Sequence, residues 1–426
     1  MHLRLLINVI LLGSGFILSS LFLQAQKPAN SSEDKVPAYA LPDPLLGKDG
    51  KKIATAAEWQ KIQRPYIYHL FEENVYGRFP TQKVTPTFYV RETNAHALNG
   101  EAVRKQVRIY LLGKNKNIFI DLLVYLPANA KKPVPVFVGY NFGGNQSIVA
   151  DSGIFLTESW MSSRGGRVIN NHATDSTRGT DTSQWQLRQV LAHGYGLAVA
   201  YYGDVEPDYA DGWKTGIRTT MATALKIQPE EWGAIGAWAW GLGRIGDYLQ
   251  QDPAIDANKI ALIGHSRLGK AALWAAASDA RFSVVISNES GEGGAALSKR
   301  FYGETVAIIN QKFPWWFAEK YKTYGDNTDE LPLDQHMLLS LMAPRPLYVA
   351  SAEGDQWSDP KGEFLSAYNA GPVYALFNKK GIPTADMPGL HQPVGENIRY
   401  HIRAGRHDVT LYDWQQYLAF VDKYWK

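Results

Sequence analysis

Four short stretches of alternating apolar and polar residues, at 88–92, 107–112, 118–126 and 134–139, follow one another with no long helical pattern between them. A period of two sends neighbouring side chains to opposite faces, so these stretches predict strands that open a sheet in antiparallel order. A helical pattern at 58–77 precedes them. After Gly139 the pattern changes: apolar runs at 196–202, 259–263, 283–287, 346–352 and 398–403 alternate with helical stretches at 184–193, 230–250, 266–278, 334–343, 359–369 and 412–424. Strands separated by helices imply parallel crossovers, which predicts a three-layer αβα sandwich around a mostly parallel sheet.

Two long segments do not fit that scaffold. One is 145–182, rich in Gly, Ser, Asn, Asp and Thr; the other is 291–333, which contains Phe313-Pro314-Trp315-Trp316-Phe317. Loops of this length in a compact domain are usually functional or disordered, and these are expected to wall a cleft. The chain begins Met1-His2-Leu3-Arg4 and then runs almost without charge to Ala25, the order of a secretory signal peptide over 1–25, with Leu23 and Ala25 approximating a small-residue cleavage site. The apolar stretch is near the length of a membrane span, so an uncleaved anchor is the alternative. Polar, proline-rich residues 26–43 predict an extended lead-in, leaving 44–426 as one catalytic-sized domain with long insertions.

Composition narrows the picture further. There is no cysteine in 426 residues, so an exported chain must rely on burial alone, without disulfides or a thiolate metal site. A net charge of +3, part of which leaves with Arg4, gives no basis for nucleic-acid or anionic-membrane binding. Thirteen tryptophans and 23 tyrosines can stack on sugar rings, although most such residues simply pack.

The chemistry lies at Ser266. Ile260-Ala261-Leu262-Ile263 is an apolar strand, Gly264-His265-Ser266-Arg267-Leu268-Gly269 a sharp turn, and Lys270-Ala271-Ala272-Leu273-Trp274-Ala275-Ala276-Ala277 an alanine-rich helix. A strand, an elbow and a helix in that order lift a serine hydroxyl above the carboxyl edge of an α/β-hydrolase sheet, whereas a glycine-flanked serine without them is an ordinary helix cap. Leu268 stands where the second glycine of the common Gly-x-Ser-x-Gly motif would be, and Gly269 follows one place later. Arg267 supplies the expected backbone oxyanion donor and a guanidinium that can add a second, while Lys270 lies one helical turn beyond the serine. Cations disfavour a helix N-terminus, so a local reason for both is expected, and they suggest a polar substrate or an acidic product.

In this fold an acid and then a histidine follow the serine. His407, in Gly405-Arg406-His407-Asp408 between the last strand and the final helix, is the candidate base. His401, His391 and His336 read as structural or cleft-lining, His265 is expected to point away from the serine, and Asp408 is too close in sequence to His407 to orient it. Glu289 and Asp355 both follow predicted strands, and either could accept the imidazole Nδ1 proton. The second oxyanion donor belongs on a glycine-rich loop after an earlier strand; Gly139-Tyr140-Asn141-Phe142-Gly143-Gly144 fits, with an N–H near Phe142, and fits a plain tight turn nearly as well.

From about Asp43 to the C-terminus these residues resemble the glucuronoyl esterase family, carbohydrate esterase family fifteen. The most specific element is Gly264-His265-Ser266-Arg267-Leu268-Gly269-Lys270, since that family's elbow reads Gly-x-Ser-Arg-x-Gly-Lys. Supporting segments are Trp232-Gly233-Ala234-Ile235-Gly236-Ala237-Trp238-Ala239-Trp240-Gly241, Asn288-Glu289-Ser290-Gly291, Leu331-Pro332-Leu333-Asp334-Gln335-His336 and Asp355-Gln356-Trp357-Ser358-Asp359-Pro360. The resemblance implies an α/β-hydrolase that cleaves esters between the carboxyl of 4-O-methyl-glucuronic acid on xylan and lignin alcohols. It implies Ser266 as nucleophile, Arg267 as oxyanion donor, His407 as base, Glu289 as the usual acid and Asp355 as the second acid of bacterial members. Lys270 and Trp357 match residues that hold the uronate ring, and Gln311 and Glu319 correspond loosely to further sugar contacts.

Fungal members carry a cysteine before the serine and depend on disulfides, so His265 in a cysteine-free chain indicates the bacterial branch. The expected substrate is glucuronoxylan or a lignin-carbohydrate ester, handled by a monomer without metal, cofactor, nucleic acid or stable membrane association. Two other readings fit the same scaffold: an acetyl xylan or feruloyl esterase, and a non-catalytic carbohydrate-binding relic.

Overall fold

The computed structural model describes residues 29–426 apart from 114 and 164. The strands are β1 (Thr87–His96), β2 (Ala102–Leu112), β3 (Asn115–Pro127), β4 (Val134–Asn141), β5 (Gly196–Tyr201), β6 (Ile255–His265), β7 (Val284–Asn288), β8 (Leu347–Ala352), β9 (Val394–Gly395) and β10 (Ile398–Arg403). They form one sheet in the order β1-β2-β3-β5-β4-β6-β7-β8-β10-β9. Pairing is antiparallel from β1 to β5, parallel from β5 through β4, β6, β7 and β8 to β10, and antiparallel again at β9. The first three expected strands open the sheet in antiparallel order, but the fourth does not: β4 runs parallel to both β5 and β6, because a period of two in side-chain pattern is the same in either pairing and does not report strand direction.

The central strands are buried on both faces. Val136, Val138, Ile260 and Leu262 enter one core, with Trp238 and Ile245 of the helix Ala234–Leu249 and Leu273 and Trp274 of the helix Arg267–Ser278. Phe137, Ala261 and Ile263 enter the other, with Leu187 and Val190 of the helix Leu187–Ala192 and Trp414, Leu418 and Val421 of the helix Leu411–Trp425. Period-two alternation along β4 and β6 thus separates two helix layers, which is the α/β-hydrolase architecture.

The predicted helix at 230–250 starts later, at Ala234, because Gly233 presses on the second insertion: a Cβ there would lie 2.1 Å from the Trp316 carbonyl oxygen. The amides of Ala234 and Ile235 instead donate to the carbonyls of Trp315 (2.9 Å) and Trp316 (3.1 Å). This insertion also carries the helices Val306–Lys312 and Glu319–Lys322. The first insertion is pinned through Arg104 to Asp151 (2.5 Å) and Arg178 to the Ile154 carbonyl (2.6 Å). Of the polar lead-in, 29–43 is held against the fold, since Asn30 accepts from the Gly303 amide (2.7 Å) and Glu33 pairs with Arg300 (2.6 Å) and Lys361 (2.8 Å). The expected signal peptide, 1–25, lies outside the described residues, among which no helix is long and apolar enough to cross a membrane.

At the end of β6 the chain turns through Ser266 at φ 56° and ψ −131° and enters the helix Arg267–Ser278. That backbone costs an L-residue about 1–3 kcal/mol and persists only when its surroundings enforce it. The enforcement is steric. A Cβ on Gly264 would stand 2.1 Å from the Leu268 carbonyl oxygen, and one on Gly269 would stand 2.9 Å from Ser290 Cβ, while Leu268 itself is buried in the core. The displaced glycine is thus needed where the helix crosses the loop after β7, and the position before it can hold leucine. Gly264→Ala is expected to lower stability by about 1–3 kcal/mol, read from thermal or denaturant unfolding. Gly243→Ala, in the middle of the helix Ala234–Leu249, where the added carbon would meet only Asp279 Oδ2 at an ordinary 3.6 Å, is the control and should be neutral or slightly stabilising.

Candidate active site

The parallel register brings the chemistry to one edge. His265 of β6 pairs with Asn288 of β7, which pairs with Ala350 of β8, which pairs with His401 of β10. Ser266, Glu289, Asp355 and His407 follow these strands on the same carboxyl edge, where open α/β sheets place their sites. Glu289 shares the strained backbone of Ser266, at φ 46°, with its amide bonded to the Ala350 carbonyl at 2.7 Å.

His407 is held by both candidate acids. Its Nδ1 lies 2.6 Å from Asp355 Oδ2 and 3.2 Å from Glu289 Oε2. Burial depresses the imidazole, but the bonds and charges of Asp355 and Glu289 outweigh it and push its pKa up to about 9. Asp355, although buried, is kept below the ordinary carboxylate range by His407, whereas burial pushes Glu289 up to about 7. The three groups titrate together. The proton deficit sits on Asp355, which makes Asp355 the acid bonded most directly to the imidazole. A proton on Nδ1 leaves Nε2 as the basic nitrogen.

His265 does not simply turn away. Asn288 Nδ2 donates to Tyr417 Oη (2.9 Å), which leaves the amide oxygen to accept from His265 Nδ1 at 2.6 Å. The His265 ring packs 4.4 Å from the His407 ring, and burial followed by the His407 charge lowers its pKa to about 3, so it buttresses the base as a neutral ring. His401, bridging Tyr348 (2.8 Å) and Asp413 (2.8 Å), is structural as expected, as is His336, bonded to the Pro42 carbonyl (2.8 Å). Asp408 accepts from Gln184 (2.8 Å), away from the imidazole.

The two cations beside the serine differ in setting. Arg267 is clamped: its Nη1 donates to Asp208, and its guanidinium lies 4.6 Å from the Trp316 ring centroid, 5.5 Å from Phe313 and 5.8 Å from Phe142 of the glycine-rich loop. Lys270 is only 3% exposed, and instead of reaching outward its Nζ donates to the Ser290 carbonyl (2.6 Å) and lies 3.8 Å from Glu304 Oε2. Burial lowers its pKa. The Glu304 amide donates in turn to the Trp357 carbonyl (2.8 Å), and the half-exposed Trp357 ring carries the Lys312 ammonium 3.9 Å from its centroid.

Gln311 and Glu319 are not brought to this group. The helix Val306–Lys312 turns Gln311 to solvent, and Glu319, exposed on the next helix, pairs with Lys322 at 2.5 Å. Glu304 occupies the place beside Lys270 instead. Nothing in its sequence neighbourhood marked it.

Arg403 was also missed. Its guanidinium bridges Glu289 (2.5 Å) and Asp413 (2.7 Å) and donates to the carbonyls of Arg406 (3.0 Å) and Asp408 (2.5 Å), stapling the loop that carries His407. A buried carboxylate at a strand end requires a cation, which is a signal that one exists but not where. The atoms of Glu289, Asp355 and His407 also lie within 4.8 Å of one another, as metal ligands do. Here Nδ1 is already bonded to a carboxylate and Glu289 to a guanidinium and the Asp408 amide (3.2 Å), so a cation would have to displace both.

Known proteins resemble this chain in sequence and fold. A family model described as glucuronyl esterase of fungi matches residues 225–378. A glucuronoyl esterase structure from Solibacter usitatus is 51% identical, with a TM-score of 0.87, covering 92% of this chain and 100% of that one. Carbohydrate esterase MZ0003, from an unknown prokaryotic organism, is 44% identical over 396 residues, 92% of this chain and 91% of the relative. The chain belongs to the glucuronoyl esterase family. A 4-O-methyl-glucuronoyl methylesterase of Phanerochaete chrysosporium is more distant, 33% identical over 385 residues, 86% of this chain and 68% of that protein. For this glucuronoyl esterase family member the raised pKa of His407 has a kinetic consequence. An imidazole that stays protonated to higher pH becomes a base only above that point, so kcat/KM on a uronoyl ester should climb with pH through an ionisation above 6.5. Asp355→Asn should lower kcat/KM on the order of 10²-fold and move that ionisation downward, and Glu289→Gln should do less of both. A pH–rate profile in which Asp355→Asn leaves the acid limb in place would contradict the assignment.

Proposed function

We propose that this chain hydrolyses esters of the carboxyl group of glucuronic or 4-O-methyl-glucuronic acid, cleaving lignin-carbohydrate linkages of glucuronoxylan through an acyl-enzyme. One observation carries the reading: a strained elbow serine shares the sheet edge with a histidine bonded to two carboxylates, and the next residue is an arginine fixed beside it. The sequence similarity supports the ester class, since the fungal relative is named for 4-O-methyl-glucuronoyl ester cleavage.

The steps follow from the residues. His407 Nε2 takes the Ser266 proton, and the alkoxide attacks the uronoyl carbonyl. The Arg267 amide and guanidinium face the charge that develops on the carbonyl oxygen, and that charge is stabilised most where water is excluded. Asp355, backed by Glu289, stabilises the imidazolium, which returns its proton to the leaving alcohol. Water, deprotonated by His407, then attacks the acyl-enzyme and releases the uronate. Lys270, Glu304 and Trp357 hold the sugar, through its hydroxyls and against the indole. Residues 1–25 direct the chain out of the cytoplasm, so that it acts as a secreted or periplasmic monomer without lasting membrane attachment.

Ser266→Ala should abolish release of alcohol from benzyl glucuronate, by about 10⁴-fold or more, while leaving the thermal midpoint intact. Retained turnover in that variant would overturn the mechanism. The wild-type enzyme should favour benzyl glucuronate over nitrophenyl acetate in kcat/KM; the reverse order would make it an acetyl or feruloyl esterase on the same scaffold.

A further inference from the structure

We propose that Asp208 is a positioning residue that aims the Arg267 guanidinium at the reacting carbonyl oxygen, an inference that rests on the esterase reading. Asp208 lies beyond β5, between the short helical turns Tyr202–Asp204 and Gly212–Lys214, in a stretch that neither the strand pattern nor the motifs single out. Its side chain is 3% exposed. Four donors converge on it: Trp315 Nε1 (2.9 Å) and Trp316 Nε1 (2.7 Å) on Oδ1, and Tyr202 Oη (3.2 Å) and Arg267 Nη1 on Oδ2. An ionised carboxylate offers about four lone-pair sites, so these donors saturate it. A buried negative charge also demands a cation, and Arg267 is the cation it meets.

From the arginine's side the same contact removes freedom. A guanidinium is a rigid fork with five N–H groups on a long flexible stem, and it helps a transition state only if the fork is already aimed. Asp208 holds Nη1, and the rings of Trp316, Phe313 and Phe142 surround the plane. The Arg267 side chain keeps 29% of its surface exposed beyond the Asp208 contact, so part of the fork remains open to a ligand. The anchor is fixed independently of Arg267. Glu206, two residues before Asp208, pairs with buried Arg218 (2.7 Å) and accepts from Trp238 Nε1 (2.9 Å), and the Trp315 and Trp316 carbonyls accept from the amides of Ala234 and Ile235. Removing the Asp208 charge should therefore release the guanidinium while the surrounding backbone stays in place.

A double-mutant cycle on benzyl glucuronate tests this, with Asp208→Asn, Arg267→Ala and both together in the full chain. Asp208→Asn should lower kcat by about 10- to 100-fold with KM changed less than about threefold, the signature of an interaction made in the transition state. In the Arg267→Ala background the same substitution should change kcat by less than about threefold. A merely structural Asp208 would lower kcat by the same factor in both backgrounds, and that result, or a wild-type kcat in Asp208→Asn, would overturn the inference. Should Asp208→Asn not fold, Asp208→Glu, which keeps the charge but displaces it by one methylene, takes its place, with coupling to Arg267 again expected and additivity again fatal. An inactive wild type would overturn the esterase reading and this inference together, whereas an active wild type with uncoupled variants would overturn this inference alone.

Discussion

The site depends on the strain at Ser266. A serine at φ 56° projects its hydroxyl off the carboxyl edge of the sheet instead of along the strand, and no L-residue holds that conformation by preference. The strain persists because 260–264 of β6 and 268–277 of the helix after it are buried, and because Gly264 and Gly269 allow the strand, the helix and the loop after β7 to approach to contact. The neighbouring groups inherit their positions from that closure. The Ser266 amide donates to the Asn288 carbonyl (3.0 Å), which ties the elbow to the strand carrying Glu289, and Asn288 in turn holds His265 against His407. Core packing, not local propensity, therefore places Ser266, His407 and the two carboxylates on one edge of the sheet.

Much of this was legible in the sequence because it depends on short-range order. The period of two through β4 and β6, the helices between the parallel strands and the glycines of the elbow are local signals, and each element appears within a few residues of its expected place. The order of Ser266, two acids and His407 was legible as well, since the sheet topology dictates which strand ends meet. Asp208, Glu304 and Arg403 were not. Their partners stand tens to more than a hundred residues away, and an isolated carboxylate in a loop without periodicity, or an arginine at the last position of a strand, looks like solvated surface. His265 misled for a related reason. Adjacent side chains diverge, but a ring can still reach the residue that its neighbour is meant to meet, and only the register of β6 against β7 reveals this.

The two acids that sequence left open differ in environment. Glu289 is the more deeply buried and is bonded to a guanidinium; Asp355 is nearer to Nδ1 and is the one kept ionised by it. Two carboxylates whose environments push their pKa values apart take different tasks. In the proposed mechanism Asp355 answers the charge that forms on the imidazole, while Glu289 joins the His407 loop, through Arg403 and the Asp408 amide, to the end of β7. Loss of either acid disturbs His407, but by different routes, one electrostatic and one positional.

A chain of 426 residues without cysteine has to fix two long insertions by non-covalent means. Buried ion pairs do much of that fixing: Arg104 with Asp151, Arg218 with Glu206, Arg300 with Asp359 (2.8 Å), Arg403 with Glu289 and Asp413, and Arg267 with Asp208. As stabilisers they are poor, since the cost of removing two charges from water roughly offsets their attraction, and apolar residues of the same volume would often serve better. Apolar contacts, however, tolerate sliding. A guanidinium bonded to two carboxylates and two carbonyls admits one arrangement, because any shift leaves a buried charge unpaired at a cost of several kcal/mol. The use of such pairs to hold loops, where apolar packing fills both cores, is accounted for by position rather than by net stability.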